Sequence, residues 1–353
     1  MKKIITGVLS AVITASLAIA SLGGITTIQA DETYNIVVST NQASMSQTCI
    51  AMKEACDRIM EESEGRIVID FYDSANLLSV TDAFKGVQDG IADIAFVPAN
   101  MTFDYFKLNG RLLVAPFIGY KSEQQAYDIY QIIREEYPII DEECEQFGIV
   151  NLGAYFNGAV DLYAHDRNFN ITTVDDLKGL KIGVSDAYLL QFMTQVGAAA
   201  TFVTNADMYT SLDNNVVSGI LQHPGVLLIT GCADTVHKVI KFGNQGLLRS
   251  TSMILMNKNT YDRLPEDLQE IVKRNFDQFT QEGQTIQGLE IAGFMNSIDA
   301  DVIELSDDEV AAFAEAGQNI VNDIIADLES NGIAGQAIYD RIQELIEEVE
   351  VTE

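Results

Sequence analysis

VDDLKGLKIGV, Val174 to Val184, is lysine-rich, punctuated by Gly179 and Gly183, and closes on a short apolar strand, Ile182 to Val184. A helix near Leu189 to Val196 follows it, and a second helix lies near Met208 to Leu212. Upstream stand two more apolar runs, Ile149 to Tyr155 and Leu162 to Ala164, preceded by a helical stretch from Ser122 to Phe147. The N-terminal part repeats the alternation. Tyr34 to Thr40 reads as a strand, Ser44 to Glu62 as a helix stopped by Gly65, Arg66 to Tyr72 as a strand, Val80 to Asp89 as a helix and Ile91 to Val97 as a strand. Short apolar strands alternating with amphipathic helices predict an α/β protein with mostly parallel sheets.

Beyond Ser250 to Met256, a further strand, the chain from Pro265 to Glu350 reads as almost all helix, with a break at Gly332. Leu268, Ile271, Val272 and Phe276 recur there at helical spacing. No internal repeat or low-complexity tract is visible, and five prolines leave no long flexible linker. A chain of 353 residues is long enough for one large or two medium domains, and two lobes joined by short crossings are expected.

The first segment, with Lys2 and Lys3 before an apolar stretch that ends at Ala30, reads as a secretory signal peptide cleaved after Ala30. Thr14, Ser16 and Ser21 interrupt the stretch, and no cysteine lies near its end. A free exported protein, periplasmic or extracellular and without a permanent membrane anchor, is expected. Cleavage would remove two lysines and no acid, taking the formal charge from −31 to −33. Such a balance makes nucleic acid and anionic lipid poor partners, and it disfavours an anionic solute unless a local cation offsets the field. Cys49, Cys56, Cys144 and Cys232 do not form a disulfide framework. Cys49 and Cys56 share a helix face but sit about 10 Å apart along it, beyond bridging distance, and buried thiols are expected. His165 and His237 lack the spacing of a zinc site, and the acids Asp299, Asp301 and Glu304 lack the glycine of a calcium loop.

Four blocks, in order and spacing, are similar to the solute-binding proteins of tripartite ATP-independent periplasmic (TRAP) transporters, the DctP-type family. These are GVQDGIADIAFV at Gly86 to Val97, LLVAPFIGY at Leu112 to Tyr120, the stretch DLKGLKIGV continued by VGAAATFV and MYTSLDNNVVSGILQHP to Pro224, and MNKNTYDRLPEDLQEIV at Met256 to Val272. The resemblance covers nearly the whole chain after Ala30. It implies a two-lobed periplasmic-binding-protein-like fold, with a ligand cleft between the lobes and a long helix bracing both. Lobe 1 would comprise 31–154 and about 243–275, and lobe 2 would comprise 155–242 and about 276–353. It also implies a monomeric receptor that closes on a small solute and delivers it to membrane permease subunits, with no cofactor, no metal and no enzymatic role.

Two departures bear on the solute. The family's arginine, which clamps a carboxylate, is replaced by Gly183, and Val160 stands where a second arginine is frequent. A guanidinium gives both charge and orientation to a carboxylate, and no neutral residue replaces it. The solute is therefore expected to be a neutral polyhydroxy or aromatic compound, or a cation held by acids such as Asp186. Lys107, Arg111 and Arg249 are the alternative sources of a relocated cation. The resemblance, followed residue by residue, puts Asn41, Gln42, Asn100, Asn157, Val160, Gly183, Ser185, Asp186, Asn205, Tyr209, Gln222 and Thr251 in the cleft, with His223 bordering it. Amides and hydroxyls both donate and accept, which suits a hydroxylated or amide-bearing ligand. A sensory receptor and an exported hydrolase are the competing readings, although no GxSxG elbow, zinc-spaced histidine set or phosphate loop supports catalysis.

Overall fold

The computed structural model describes residues 32–351, so the expected signal peptide lies outside the described residues. The strands are β1 Tyr34–Ser39, β2 Ile67–Tyr72, β3 Ile94–Pro98, β4 Ile149–Ala159, β5 Asp161–Ala164, β6 Lys181–Val184, β7 Ala199–Phe202, β8 Gly219–Gln222, β9 Lys238–Lys241, β10 Arg249–Asn257 and β11 Asp301–Glu304. They form two sheets, ordered β2-β1-β3-β10-β4 and β11-β9-β5-β8-β6-β7.

Each sheet is covered on both faces. In β3, Ile94 and Phe96 enter one core while Ala95 and Val97 enter another, and β10 divides Ile254 and Met256 from Met253 and Leu255 in the same way. A strand with no wet face reads as a continuous apolar run, which is why IAFV shows no alternation of polarity. In the second sheet Leu162, Leu221 and Ile240 share one side, and Tyr163, Ile220 and Val239 the other.

The helix Gln47–Glu62 begins where Ser46 accepts a hydrogen bond from the Cys49 backbone N–H, and it buries Met52, Ala55, Cys56 and Ile59. That spacing lines one helical stripe. All four cysteines are buried and free. The helix Glu266–Ser297, which starts after Pro265, is 32 residues long. At 1.5 Å per residue it spans about 48 Å. Its Leu268, Val272, Phe276 and Phe279 pack with Met52 and Tyr155 against the first sheet, whereas its Phe294 packs with Tyr163 and Leu212 against the second. One rod therefore belongs to two cores. No helix among the described residues is long and apolar enough to cross a membrane.

The crossings between the sheets are short. Only Val160 separates β4 from β5, and β9 reaches β10 through residues 242–248. The two crossings are tied together, since Val160 N donates to Leu248 O at 2.9 Å and Leu247 N donates to Val160 O at 3.0 Å. Gly246 makes this approach possible. It has φ +63°, and a Cβ there would lie 2.8 Å from the backbone N and O of Val160.

Three expectations change. The sheets are mixed, because β10 runs antiparallel to β3 and β4, and β5 runs antiparallel to β8 and β9. A chain that returns from the second sheet enters the first in the reverse direction. The helix expected from Ser122 to Phe147 is two helices, Glu123–Glu136 and Ile139–Glu145, divided at Tyr137 and Pro138. Proline lacks the N–H and pushes its predecessor out of helical geometry. The C-terminal helical run is interrupted by β11, which pairs with β9. β4 runs on past residue 154 and pairs with β10 as far as Ala159.

Candidate functional site: a cleft lined from both sheets

A cavity of about 460 Å³ lies where residues from both sheets converge. The C-terminal ends of parallel strands supply much of its wall, as expected for open α/β sheets. Asn41 and Gln42 follow β1, Asn100 follows β3, Ser185 follows β6, Asn205 follows β7 and Gln222 ends β8. Asn100 Nδ2 donates to Ser185 O at 3.3 Å, and Gln222 Nε2 donates to Ser185 Oγ at 2.9 Å.

Asn157 reaches the cavity by a different route. The pairing of β4 with β10 skips it, between Thr251 opposite Phe156 and Ser250 opposite Gly158. Such a bulge re-aims a side chain out of the ladder. Asn157 Nδ2 then donates to Ser252 Oγ at 3.0 Å, inside the cavity wall.

A second cavity, about 40 Å³, adjoins Asn100, Ser185 and Gln222 and is also lined by Val160, Asp186 and Thr251. Asp186 is committed locally. Its Oδ1 caps the helix Ala187–Gln195 by accepting from Tyr188 N at 2.8 Å and Leu189 N at 3.1 Å. Burial raises its carboxyl above the ordinary value, against the lowering effect of these bonds. Gly183 and Tyr209 line neither cavity. Gly183 is buried in β6, where a Cβ would meet Val203 Cγ2 at 3.0 Å and Ile220 Cγ1 at 3.2 Å.

Of the candidate relocated cations none lines the larger cavity, while Arg249 lines the smaller one. Lys107 and Arg111 both pair with Asp327, at 3.1 and 2.8 Å. Arg249, with 3% of its side chain exposed, pairs with Glu123 and donates to the carbonyls of Tyr120 and Asn244. No lysine or arginine is among the described residues that line the larger cavity.

The charge that does line it is Glu290, on the long helix, 7% exposed. Glu290 Oε1 accepts from Thr48 N at 3.2 Å and Thr48 Oγ1 at 3.3 Å, and Oε2 accepts from Gln287 Nε2 at 3.2 Å. The Gln287 amide also lies 3.2 Å from the Tyr155 hydroxyl, and burial keeps that phenol protonated far above its ordinary range. His223 borders the same corner. A Cβ on Gly225 would sit 3.2 Å from Glu290 Oε2 and 3.3 Å from His223 Nδ1, so the glycine lets both approach. Burial pulls the imidazole down to about 4, leaving it neutral at pH 7.

The sequence reading missed Thr48, Gln287 and Glu290. Thr48 and Glu290 stand 242 positions apart, and the acids of a long helix ordinarily read as its wet face. Apolar contacts complete the wall, among them Met101, Phe202, Val226 and Ile229.

Residues 38–327 match the family model for the bacterial extracellular solute-binding protein, family 7 (DctP). A solute-binding protein of Chromohalobacter salexigens is 29% identical over 182 residues, which is 48% of this chain and 49% of that protein. The chain spans about half to two thirds of the length of the curated relatives it matches. Among solved structures, a marine metagenome TRAP solute-binding protein in complex with 3-hydroxybenzoate superposes with a TM-score of 0.78 at 17% identity, covering 91% of this chain and 100% of that one. A TRAP periplasmic solute-binding protein from Sulfitobacter sp. NAS-14.1 with bound β-D-galacturonate gives 0.75 at 21% identity, covering 88% and 99%.

Proposed function

Because the chain belongs to the bacterial extracellular solute-binding protein family 7, we propose that it is the receptor of a TRAP transporter, which captures a small solute between its lobes and delivers it to membrane permease subunits. The observation that carries this reading is the 460 Å³ cavity, walled by side chains from both sheets and from the helix common to both cores. A ligand that touches both walls stabilises the shut arrangement over the open one by the contacts it makes only when shut. The tied crossings at Val160 supply the pivot. The receptor works outside the cytoplasm, in the periplasm or beyond, as a monomer and without catalysis.

The solute of this receptor is not held by an arginine clamp. Gly183 supports this, as does the commitment of Lys107, Arg111 and Arg249 to Asp327 and Glu123. A carboxylate brought to the larger cavity would meet Glu290 in place of a counter-ion, and an uncompensated buried charge costs about 3–5 kcal/mol. The test is small-angle scattering of purified protein, before and after refolding from denaturant to strip bound solute. The stripped form is expected to be more extended and to contract when the released small-molecule fraction is restored. No contraction with any fraction removes the receptor reading.

A further inference from the structure

We infer that the solute carries a protonated amine, which docks in the corner formed by Glu290, Gln287 and His223; this deepens the receptor reading and rests on it. The buried polar atoms that this corner leaves without a partner are acceptors, Gln287 Oε1 outright and His223 Nδ1 in the tautomer that carries its proton on Nε2. Gln287 Oε1 and His223 Nδ1 are buried without a hydrogen-bond partner in the protein, as is Asn41 Oδ1 elsewhere in the cavity wall. Gln287 is 1% exposed and His223 8%, so bulk water does not serve them. The Gln287 orientation is set by its neighbour, because turning the amide over would place its carbonyl against Glu290 Oε2, 3.2 Å from where Nε2 now donates.

An unmet buried acceptor is costly, and an ammonium offers three N–H donors and no acceptor. A carboxylate offers the reverse and would face Glu290 besides. The N-terminal end of the helix Gln47–Glu62, through Thr48 N, offsets part of the Glu290 charge. No lysine or arginine is among the described residues that line the larger cavity to offset the rest. With His223 neutral, the corner keeps a negative bias. The wider field acts in the same direction, since 52 acids stand against 21 basic residues. The amides of Asn100, Asn157 and Gln222 across the cavity then read the hydroxyl or amide groups of the ligand body, and Phe202 and Ile229 cover its apolar part.

The test uses full-length protein refolded to strip bound solute, and calorimetric titration at pH 7 with two isosteric series. One is 3-hydroxybenzylamine, 3-hydroxybenzyl alcohol and 3-hydroxybenzoate; the other is 6-amino-6-deoxygalactose, galactose and galacturonate. The expected result is that, within a series that binds, the amine is at least tenfold tighter than the acid and tighter than the alcohol. Glu290→Gln is expected to erase most of that preference while circular dichroism shows an unchanged fold. An acid equal to or tighter than its amine overturns the inference, and this needs no variant. In parallel, mass spectrometry identifies what the unstripped protein releases on denaturation. A solute bearing a basic nitrogen supports the inference. A solute without one overturns it and leaves the receptor reading standing, whereas no released solute and no binding by any of the six probes overturns both.

Discussion

Two buried charges, Arg249 beside the smaller cavity and Glu290 beside the larger, are treated differently by the protein. Arg249, at the start of β10, spends its guanidinium on Glu123 and on two backbone carbonyls. Glu290, on the long helix, is surrounded by an alcohol, an amide and one backbone N–H, with no lysine or arginine among the described residues lining its cavity. The first charge is neutralised within the protein and acts as a fastener. The second keeps its affinity for something brought from outside. A buried charge therefore points to a ligand only after its internal partners have been counted.

The largest effect is expected where the fastener is broken. Arg249→Met strands Glu123 and should cost about 3–5 kcal/mol in urea unfolding, with much of it restored by adding Glu123→Gln. A loss under about 1 kcal/mol would make Arg249 as free as Glu290. Asp161 lies near the same arginine and is buried, accepting from Phe242 N at 2.9 Å, and burial pushes its carboxyl from 3.8 up to about 6. The folded form then keeps a proton that the unfolded chain has released. Its contribution is most favourable below pH 4 and is lost as the pH climbs from about 4 to about 6, by about 3 kcal/mol at full ionisation. Asp161→Asn should flatten that part of the stability-against-pH curve relative to wild type, and an unchanged slope would show that Asp161 ionises as freely in the fold as out of it.

At the hinge itself, Gly246→Ala meets both a positive φ and the Val160 backbone, and should cost roughly 2–4 kcal/mol in thermal unfolding. Next comes Gly183→Arg, which extends a cation past Val203 toward a larger cavity that has none among its described lining residues. Contact with Val203 and Ile220 should cost about 1–3 kcal/mol, and galacturonate should gain at least tenfold by calorimetry. A well-folded variant without that gain would show that position 183 does not reach the cavity. The smallest stability change belongs to Glu290→Gln, under about 1 kcal/mol, because glutamine keeps the shape and most acceptors while removing an unneutralised charge. A loss near that of Arg249→Met would make Glu290 a second fastener and end the contrast.

Much of the architecture could be read from the chain because it rests on local pattern. β1, β2, β3 and β6 lie within a residue or three of the apolar runs that announce them, and the helix containing Leu268, Val272 and Phe276 follows its own spacing. Pairing direction could not be read, since Arg249–Asn257 has the same composition whichever way it enters a sheet. Strands β7, β8, β9 and β11 are four residues each and too short to carry a period. In the cleft, residues at strand ends were legible through the resemblance, and Asn41, Gln42, Asn100, Asn157, Ser185, Asn205 and Gln222 do line the larger cavity. The corner around Glu290 was not, because a helix residue's partner across hundreds of positions leaves no local trace. His165 and His237 make the same point, with rings 5.2 Å apart despite their separation in sequence.

β10 sits inside the first sheet, between β3 and β4, although it is the tenth strand along the chain. A ribosome that has delivered only the first two hundred residues has not yet supplied the piece on which that sheet closes. Completion of that sheet therefore waits for Arg249–Asn257, about seven tenths of the way along the chain, and the N-terminal half cannot close it alone.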